Sequence, residues 1–171
     1  MKRSPLKRST KPIRRSWIKR KPVDPERRKT LDKAKRIHQK DNPFSAYWRD
    51  KATDLWSKII RIRANGRCEY TGKPCEMGEL NAHHILQRGI HEFRCDLSMG
   101  MAIKTWYHTF DKSSPHGSQS ILFYQWLERY HPEKYKIWME HKNDPLHKRW
   151  NWKEEHDRLN EIFKSMFRQK G

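Results

Sequence analysis

The segment from residue 82 to residue 116, AHHILQRGIHEFRCDLSMGMAIKTWYHTFDKSSPH, constrains the fold more than any other part of the chain. Paired histidines, His83 and His84, stand near the end of one short apolar run. His108 follows a second run, and His116 lies in a polar stretch. Imidazole is a common metal ligand, and near neutral pH it is also the side chain best suited to move a proton. In a chain of net charge +19, this cluster indicates a metal ion that acts on phosphate.

The pattern around the histidines predicts two strands followed by a helix. Short apolar runs bounded by polar turns are typical of strands, and we expect these over residues 80–85 and 97–103. A helix is expected from about residue 104, and KSSPHG at 112–117 has the composition of a turn. This strand–loop–strand–helix order can bring the first histidine of the pair and the histidine of the helix onto one metal ion.

The rest of the chain is predicted to be helical. Apolar residues recur at helical spacing in several segments, and these stripes are expected in the core rather than in a cofactor site. The sequence thus predicts an α+β fold in which a small ββα-metal core is surrounded by several α-helices. The signals expected at the helix ends are Pro25, Asn65-Gly66, Ser118, Pro132 and the Asn151/Glu154 capping box.

Positive charge is concentrated at the N-terminus. Residues 1–40 hold 17 Lys/Arg and 3 Asp/Glu, which leaves only +5 for the remainder. We divide the chain into a basic flexible arm (1–24), a charged helical linker (25–49), a nuclease-like domain (50–142) and a C-terminal helix packing on that domain (143–171). The asymmetry points to a polyanionic partner, because each Lys or Arg contact with a phosphate releases counterions. The arm residues expected to contact nucleic acid are Arg14, Arg15, Lys19, Arg20 and Lys21.

Two other classes of protein are disfavoured. No apolar run approaches the roughly 20 residues of a membrane-spanning helix, and the N-terminus has no apolar stretch for a signal peptide. Three cysteines, an odd number, do not suggest a disulfide framework. We therefore expect a cytoplasmic protein without a membrane partner.

The order of these elements resembles the ββα-metal, or HNH, endonuclease motif. In that family the first strand ends in His-His or Asp-His, an Asn follows, and a His or Asn ligand lies on the helix. The 15 residues from His84 to position 99, and the nine from there to His108, suit the family. The layout of residues 50–142 is also similar to phage recombination nucleases of the NinG type. That group shares a Lys/Arg/Pro arm, a helix like DLWSKIIRIRANGRC, and an aromatic hairpin like FYQWLERYHPEKYKIWME, and it has an R-x-D-L-x-N element where this chain has RCDLSM.

The resemblance implies roles for five residues. His84 would be the general base, with its other ring nitrogen held by a carbonyl or a side chain, and His83 and His108 would ligate a divalent ion. His116 is a candidate third ligand, and the alternative is a turn histidine that faces solvent. Arg88 could grip a neighbouring phosphate or simply be exposed. The expected cofactor is Mg²⁺ or Mn²⁺, although imidazole ligands also suit Zn²⁺, Ni²⁺ and Co²⁺. His91, His131 and Asp111 are expected on the surface.

The chain departs from the family pattern where the family has its Asn. Met99 occupies that position, and a thioether cannot replace the donor and acceptor of an amide. Ser98 or Asn81 could substitute for the amide; otherwise the enzyme is slow or inactive. In addition, His116 lies further from His108 than the family's usual last ligand.

A second departure concerns the structural zinc that many relatives bind with two Cys-x-x-Cys pairs. The matching positions here read Cys68-x-x-Thr71 and Lys104-x-x-Tyr107, which leaves too few thiolates for a tetrahedral site. We expect no structural zinc, and we expect aromatic packing in its place.

These features favour a phage-encoded, metal-dependent DNA endonuclease that acts in the cytoplasm of the infected host, on recombination or replication intermediates. Cleavage of branched DNA would favour a homodimer. The alternative is a catalytically impaired protein of the same fold that binds DNA, or that binds a host or phage protein and inhibits a host enzyme. A third interpretation, an RNA-binding or ribosome-associated protein, predicts preference for RNA and indifference to metal.

Overall fold

The computed structural model of the protein describes residues 24–168, so the arm residues predicted to contact nucleic acid lie outside the described part. Within it the fold is α+β, as predicted, with one two-stranded antiparallel sheet among helices. In chain order the elements are α1 (Pro25–Asp41), α2 (Ala46–Arg63), a 3₁₀ turn (Met77–Glu79), β1 (Leu80–His84), α3 (His91–Arg94), β2 (Gly100–Lys104), a π-helical turn (Trp106–Phe110), α4 (Ser120–Tyr130), α5 (Pro132–His141) and α6 (Trp152–Arg168).

The sheet depends on the helices that cover it. Strands β1 and β2 pair over five residues each, with His84 opposite Gly100 and Leu80 opposite Lys104. Two such strands are at best marginally stable alone in water. Helix α2 packs against both of them, and buried residues from α2, the strands, α4 and α6 form one apolar cluster. Its largest fully buried side chains include Trp56, Ile60, Leu80, Met101, Ile103, Phe123, Leu127 and Leu159.

Gly100 permits the close approach of α2 to β2. A Cβ atom at this position would lie 2.5 Å from Cδ1 of Ile60 and 2.6 Å from Cζ2 of Trp56. Any side chain would therefore push the helix away from the strand. Because Gly100 is also opposite His84 in the sheet, it places α2 directly beside the paired histidines.

Helix α6 covers the other side of α2, and its start is capped as predicted. The backbone amide of Glu154 donates to Oδ1 of Asn151 at 3.2 Å. The side-chain amide of Asn151, through Nδ2, donates to the Glu154 carboxylate at 3.1 Å. Trp152 and Leu159 are buried on the face that meets α2, and charged residues occupy the opposite face. The cap and the apolar stripe together explain why this basic segment forms a helix of 17 residues.

Three predicted elements differ from the structure. The second strand begins at Gly100 rather than at residue 97, because the Asp96 carboxylate accepts hydrogen bonds from the amide and hydroxyl of Ser98 and folds this segment into a turn. Ser118 does not cap α4, which begins one residue after Gln119 without a side-chain cap. The segment after β2 is also shorter than a usual helix, since it makes a single π-helical turn, Trp106–Phe110.

Helix α1 lies outside the core. None of its residues is buried, and it is attached at its C-terminal end. There the Trp48 indole donates to the carbonyl of Lys40 at 2.8 Å, and the Ser45 hydroxyl donates to the carbonyl of Gln39 at 2.5 Å. These contacts join a charged, exposed helix to the start of α2.

We expect Leu159→Ala to lower the free energy of unfolding by about 2–5 kcal/mol, because Leu159 is fully buried between α6 and α2 and its truncation leaves a cavity. Leu31→Ala is the matched control, since Leu31 is 48% exposed on α1 and a surface change costs at most about 0.5 kcal/mol. Urea unfolding followed by circular dichroism measures both. Equal losses in the two variants would contradict the proposed packing of α6.

Candidate metal centre

Three histidines from separate segments converge at one point. His83 lies next to the end of β1, His108 lies in the middle of the π-helical turn, and His116 lies in the loop before α4. One ligand atom from each falls within 4.8 Å of the others, and among residues 24–168 this is the one group of three or more potential ligands so placed. The geometry can hold a metal ion, and it includes the third histidine, for which the sequence left two interpretations.

The spacing of one pair of ring nitrogens suits metal bonds. Nδ1 of His83 and Nε2 of His108 are 3.2 Å apart. Bonds of 2.0–2.1 Å to a tetrahedral ion require about 3.3 Å between ligand atoms. Nε2 of His83 is buried and has no hydrogen-bond partner among the described residues. Three protein ligands leave one coordination position open, which is the pattern of catalytic rather than structural sites. Without a metal, the 3.2 Å contact is a hydrogen bond between two imidazoles.

Burial keeps two of these imidazoles neutral. The pKa of His83 is well below its usual range, chiefly because burial disfavours the charged form and secondarily because His108 and His116 are close. The pKa of His108 is lowered to about 4 by burial first and then by His116 and Arg88. Near pH 7 both rings are therefore neutral, and each has a lone pair available to a cation.

The loop that carries His116 is closely packed. The carboxylate of Asp111 accepts hydrogen bonds from the amide and the hydroxyl of Ser113. A Cβ atom at Gly117 would lie 2.3 Å from the carbonyl oxygen of Lys112, so only glycine fits there. Asp111 thus organises the ligand loop and is only half-exposed, contrary to the expectation of a plain surface residue.

His84 has a different environment from the other three. Its ring stacks on the indole of Trp56, with centroids 3.9 Å apart and planes inclined by 22°. Burial first, and then the charges of Arg88 and Arg94, lower its pKa to about 3, while a backbone hydrogen bond to Arg94 acts in the opposite direction. By strict geometry neither ring nitrogen has a hydrogen-bond partner in the described chain, so the Arg94 contact is weak. His84 is thus a neutral imidazole that is held by stacking.

Met99 offers no polar group to His84, and neither Ser98 nor Asn81, the two predicted substitutes, bonds the histidine. The Met99 side chain is 1% exposed and belongs to the apolar core. The Ser98 hydroxyl is bonded to Asp96 at 2.7 Å. Asn81 stands three residues before His84 on β1, and no hydrogen bond joins it to the His84 ring. The amide expected by the family pattern therefore has no polar replacement at the histidine.

Side-chain donors hold the loop between the strands instead. They bond backbone carbonyls along residues 88–100 and so fix the path of the chain after His84. These bonds run from Trp56 to Asp96 (2.9 Å), from Arg63 to Leu97 (2.6 Å) and Gly100 (2.9 Å), from Arg94 to Arg88 (3.1 Å), from Arg158 to Cys95 (3.4 Å), and from Lys134 to Ser98 and Gly100.

A cleft of about 380 Å³ opens over the site. Its lining includes all four histidines of the cluster together with Arg88 and Tyr124. Arg88 is exposed, and its carbonyl is fixed by Arg94, so its side chain stands at the cleft while its backbone is held. The place predicted for a phosphate contact thus adjoins the histidines.

The position of the family's structural zinc holds a single thiol and aromatic rings. Sγ of Cys68 accepts a hydrogen bond from the amide of Lys104 at 3.3 Å, so the two matching segments do meet. Tyr70, within the first of these segments, contacts the rings of Tyr107 (6.4 Å between centroids), Phe123 (5.5 Å) and Trp126 (4.8 Å). Cys75 and Cys95 are free, and Cys95 is buried in the core with its pKa raised to about 12 by burial.

No protein-family model, curated protein or solved structure matches the chain. The HNH resemblance therefore depends on the motif residues and their geometry alone. None of the helices in residues 24–168 is long and apolar enough to cross a membrane.

Sequence reasoning missed the part played by three residues. Trp56 lies at helical spacing from other apolar residues, which predicts a core position, and nothing in the spacing indicates that its ring faces His84. Arg94 did have a signal, because it begins the RCDLSM element that resembles the family's R-x-D-L-x-N. Asp111 is the first residue of a turn-forming stretch, where a carboxylate commonly bonds the amide two residues later.

We expect the protein to bind one divalent ion such as Ni²⁺, Zn²⁺ or Mn²⁺ at this centre. At a free metal concentration 100 times Kd, binding raises the free energy of unfolding by about 2.7 kcal/mol. Calorimetric titration and thermal melts should show the effect in the wild type and lose it in His83→Ala and His108→Ala. His131→Ala is the matched control, and it should bind like the wild type. If no metal changes the melting temperature of the wild type, the three histidines form only a hydrogen-bonded group and not a metal site.

Stability without metal should fall as the pH is lowered. The folded-state pKa values of His83, His84 and His108 are lowered, so below the unfolded value of about 6.5 the unfolded chain binds more protons. Stability is then full above about pH 6.5 and declines as the pH falls, by at most about 1.4 kcal/mol per pH unit for each of the two more buried histidines and by less for His108, which is only half-buried. Urea unfolding in EDTA from pH 7 to pH 5 measures the slope. His84→Gln should reduce that slope; a flat profile in the wild type contradicts the assignment.

Proposed function

We propose that the protein is a metal-dependent DNA endonuclease of HNH type. The observation that carries the proposal is the convergence of His83, His108 and His116 beside a neutral His84, in a cleft that Arg88 adjoins. Metal-assisted hydrolysis of a phosphodiester needs these parts: a cation site with an open position, a base for water, and a positive group for phosphate.

A divalent cation on the three histidines would supply neutralisation of the charge that develops on the phosphate and on the leaving oxygen. His84 would take a proton from the attacking water at a ring nitrogen. Its pKa of about 3 keeps the ring neutral at pH 7, but it also makes the ring a weak base, because a general base works best with a pKa near the working pH. The stack on Trp56 limits the tilt of the ring. Arg88 holds a phosphate of the same strand.

DNA is the proposed substrate on the basis of charge. The net charge of +19 is concentrated in residues 1–40, and phosphate contacts of this kind position the protein without reading sequence. Affinity would come from the arm and chemistry from the cleft. Branched recombination or replication intermediates of a phage are the proposed targets, and a homodimer would suit their symmetry.

One observation favours the second candidate, a DNA-binding or host-enzyme-inhibiting protein that does not cut. Both ring nitrogens of His84 lack a strong hydrogen-bond partner among the described residues, and Met99 supplies none. A base that is stacked but weakly oriented by hydrogen bonds can leave the reaction slow. The two candidates share the fold; they differ in turnover, and the inhibitor form of the second also differs in its partner.

The test is cleavage of plasmid and branched DNA with Mg²⁺, Mn²⁺ or Ni²⁺. We expect the wild type to cut and His84→Ala to lose about 10²–10⁴-fold in rate, which is the usual contribution of general base catalysis. Because His84 is outside the ligand set, His84→Ala should still bind metal, whereas His83→Ala should lose both properties. His131→Ala serves as the control for the loss of a surface imidazole.

Tight DNA binding with no cleavage under any metal would replace the first candidate with the second. Preference for RNA and indifference to metal would contradict both.

A further inference from the structure

Two large aromatic rings are exposed on the turn that carries His108. Trp106 is 58% exposed and Phe110 is 66% exposed, although each could bury a large apolar surface. Their centroids are 5.7 Å apart and their planes are inclined by 35°, so they form one continuous aromatic surface. Neither ring is needed by the core, and neither takes part in the metal site.

The placement of the two rings follows from the helical turn. Trp106 and Phe110 are four residues apart and share one face, whereas His108, two residues from each, faces the cleft. The aromatic surface and the ligand thus lie on opposite sides of a single turn, whose diameter with side chains is about 10 Å. A strand whose phosphate is in the cleft can reach this surface a few nucleotides away.

We propose that Trp106 and Phe110 form a platform on which unpaired DNA bases stack. The phosphate in the cleft rests on the proposed nuclease function, whereas the platform itself does not require cleavage. A base inserted between the rings would need about 7 Å, twice the contact distance of about 3.5 Å, so bases stack on the outer faces. Aromatic platforms next to positive charge are the usual means of binding single strands without sequence preference.

The chemistry around the rings favours this occupant over a protein. The interior of a protein interface is apolar and contiguous. Here the residues next to the rings are polar, since Thr109 and Lys112 are exposed and Asp111 is half-exposed. Bases inside a duplex are already stacked on each other and only the terminal pairs present a free face, so the platform favours unpaired nucleotides. The substrate class is therefore DNA with a single-stranded segment, such as a flap, a gap or an open branch.

The experiment measures binding in EDTA, where no cleavage occurs. Fluorescence anisotropy gives Kd for a short single-stranded oligonucleotide and for the blunt duplex of the same sequence, at one salt concentration. In the double variant Trp106→Ala/Phe110→Ala, we expect Kd for the single strand to rise about 5-fold or more, and Kd for the duplex to change less than about 2-fold. The arm is present in both proteins, so its contribution cancels.

Two further variants make the test specific. Trp106→Leu/Phe110→Leu keeps an apolar surface and removes the rings, and it should lose affinity as the alanine variant does. Phe167→Ala removes an aromatic ring that is 53% exposed on α6, and it should bind like the wild type. Metal binding by each variant shows that the site is folded.

Retained affinity in the leucine variant, or an equal loss for single strand and duplex, would overturn the platform. The platform would also be overturned if the wild type is a dimer and the double variant is a monomer, because the rings would then form a protein interface. If the wild type cuts DNA but the double variant shows no selective loss of single-strand affinity, the nuclease proposal stands and the platform is rejected. If the wild type cuts nothing but the double variant shows the selective loss of affinity, the platform stands and the nuclease proposal is rejected.

Discussion

The contact between α2 and the strand pair, made through Trp56, is the constraint on which the site depends. The indole packs against Gly100, stacks on His84 at 3.9 Å between centroids, and donates to the carbonyl of Asp96 at 2.9 Å. One side chain thereby sets the helix-to-strand distance, the tilt of the His84 ring and the return of the loop between the strands. Because the strands are only five residues long, they cannot hold these positions without the helix.

The burial of imidazole nitrogens without hydrogen-bond partners is the second constraint, because it lowers the free energy of unfolding. One nitrogen of His83 and both nitrogens of His84 are buried without a strong hydrogen-bond partner among the described residues. Each such group costs about 1–3 kcal/mol in a folded protein. A cation bound at Nδ1 of His83 would leave Nε2 of the same ring without a partner, whereas a water molecule that enters the cleft would satisfy a ring nitrogen of His84.

Sequence patterns predicted the parts of this structure that depend on local chemistry. The α+β class, the Asn151 cap and the end of α2 at Asn65, where φ is 48°, all follow from residues adjacent in the chain. The ligand segments were found because histidines recur at fixed distances around two apolar runs. The stack of Trp56 on His84 was not predicted, because it joins residues that are distant in sequence and the indole has the pattern of an ordinary core residue.

The contrast between Met99 and Trp56 shows how the site differs from the HNH motif that its sequence resembles. In the motif an amide fixes the loop and orients the base by hydrogen bonds. In this chain position 99 faces the core, and the fixing is divided between aromatic stacking at the histidine and guanidinium, ammonium and indole donors along the loop. Stacking limits the tilt of an imidazole but leaves rotation within its plane less restricted than a directed hydrogen bond does. The histidine cluster is independent of this exchange, because His83 and His108 meet through β1 and the π-helical turn and not through the loop. In the proposed nuclease, metal binding and proton transfer would therefore change separately, and loss of the base would leave the three candidate ligands in place.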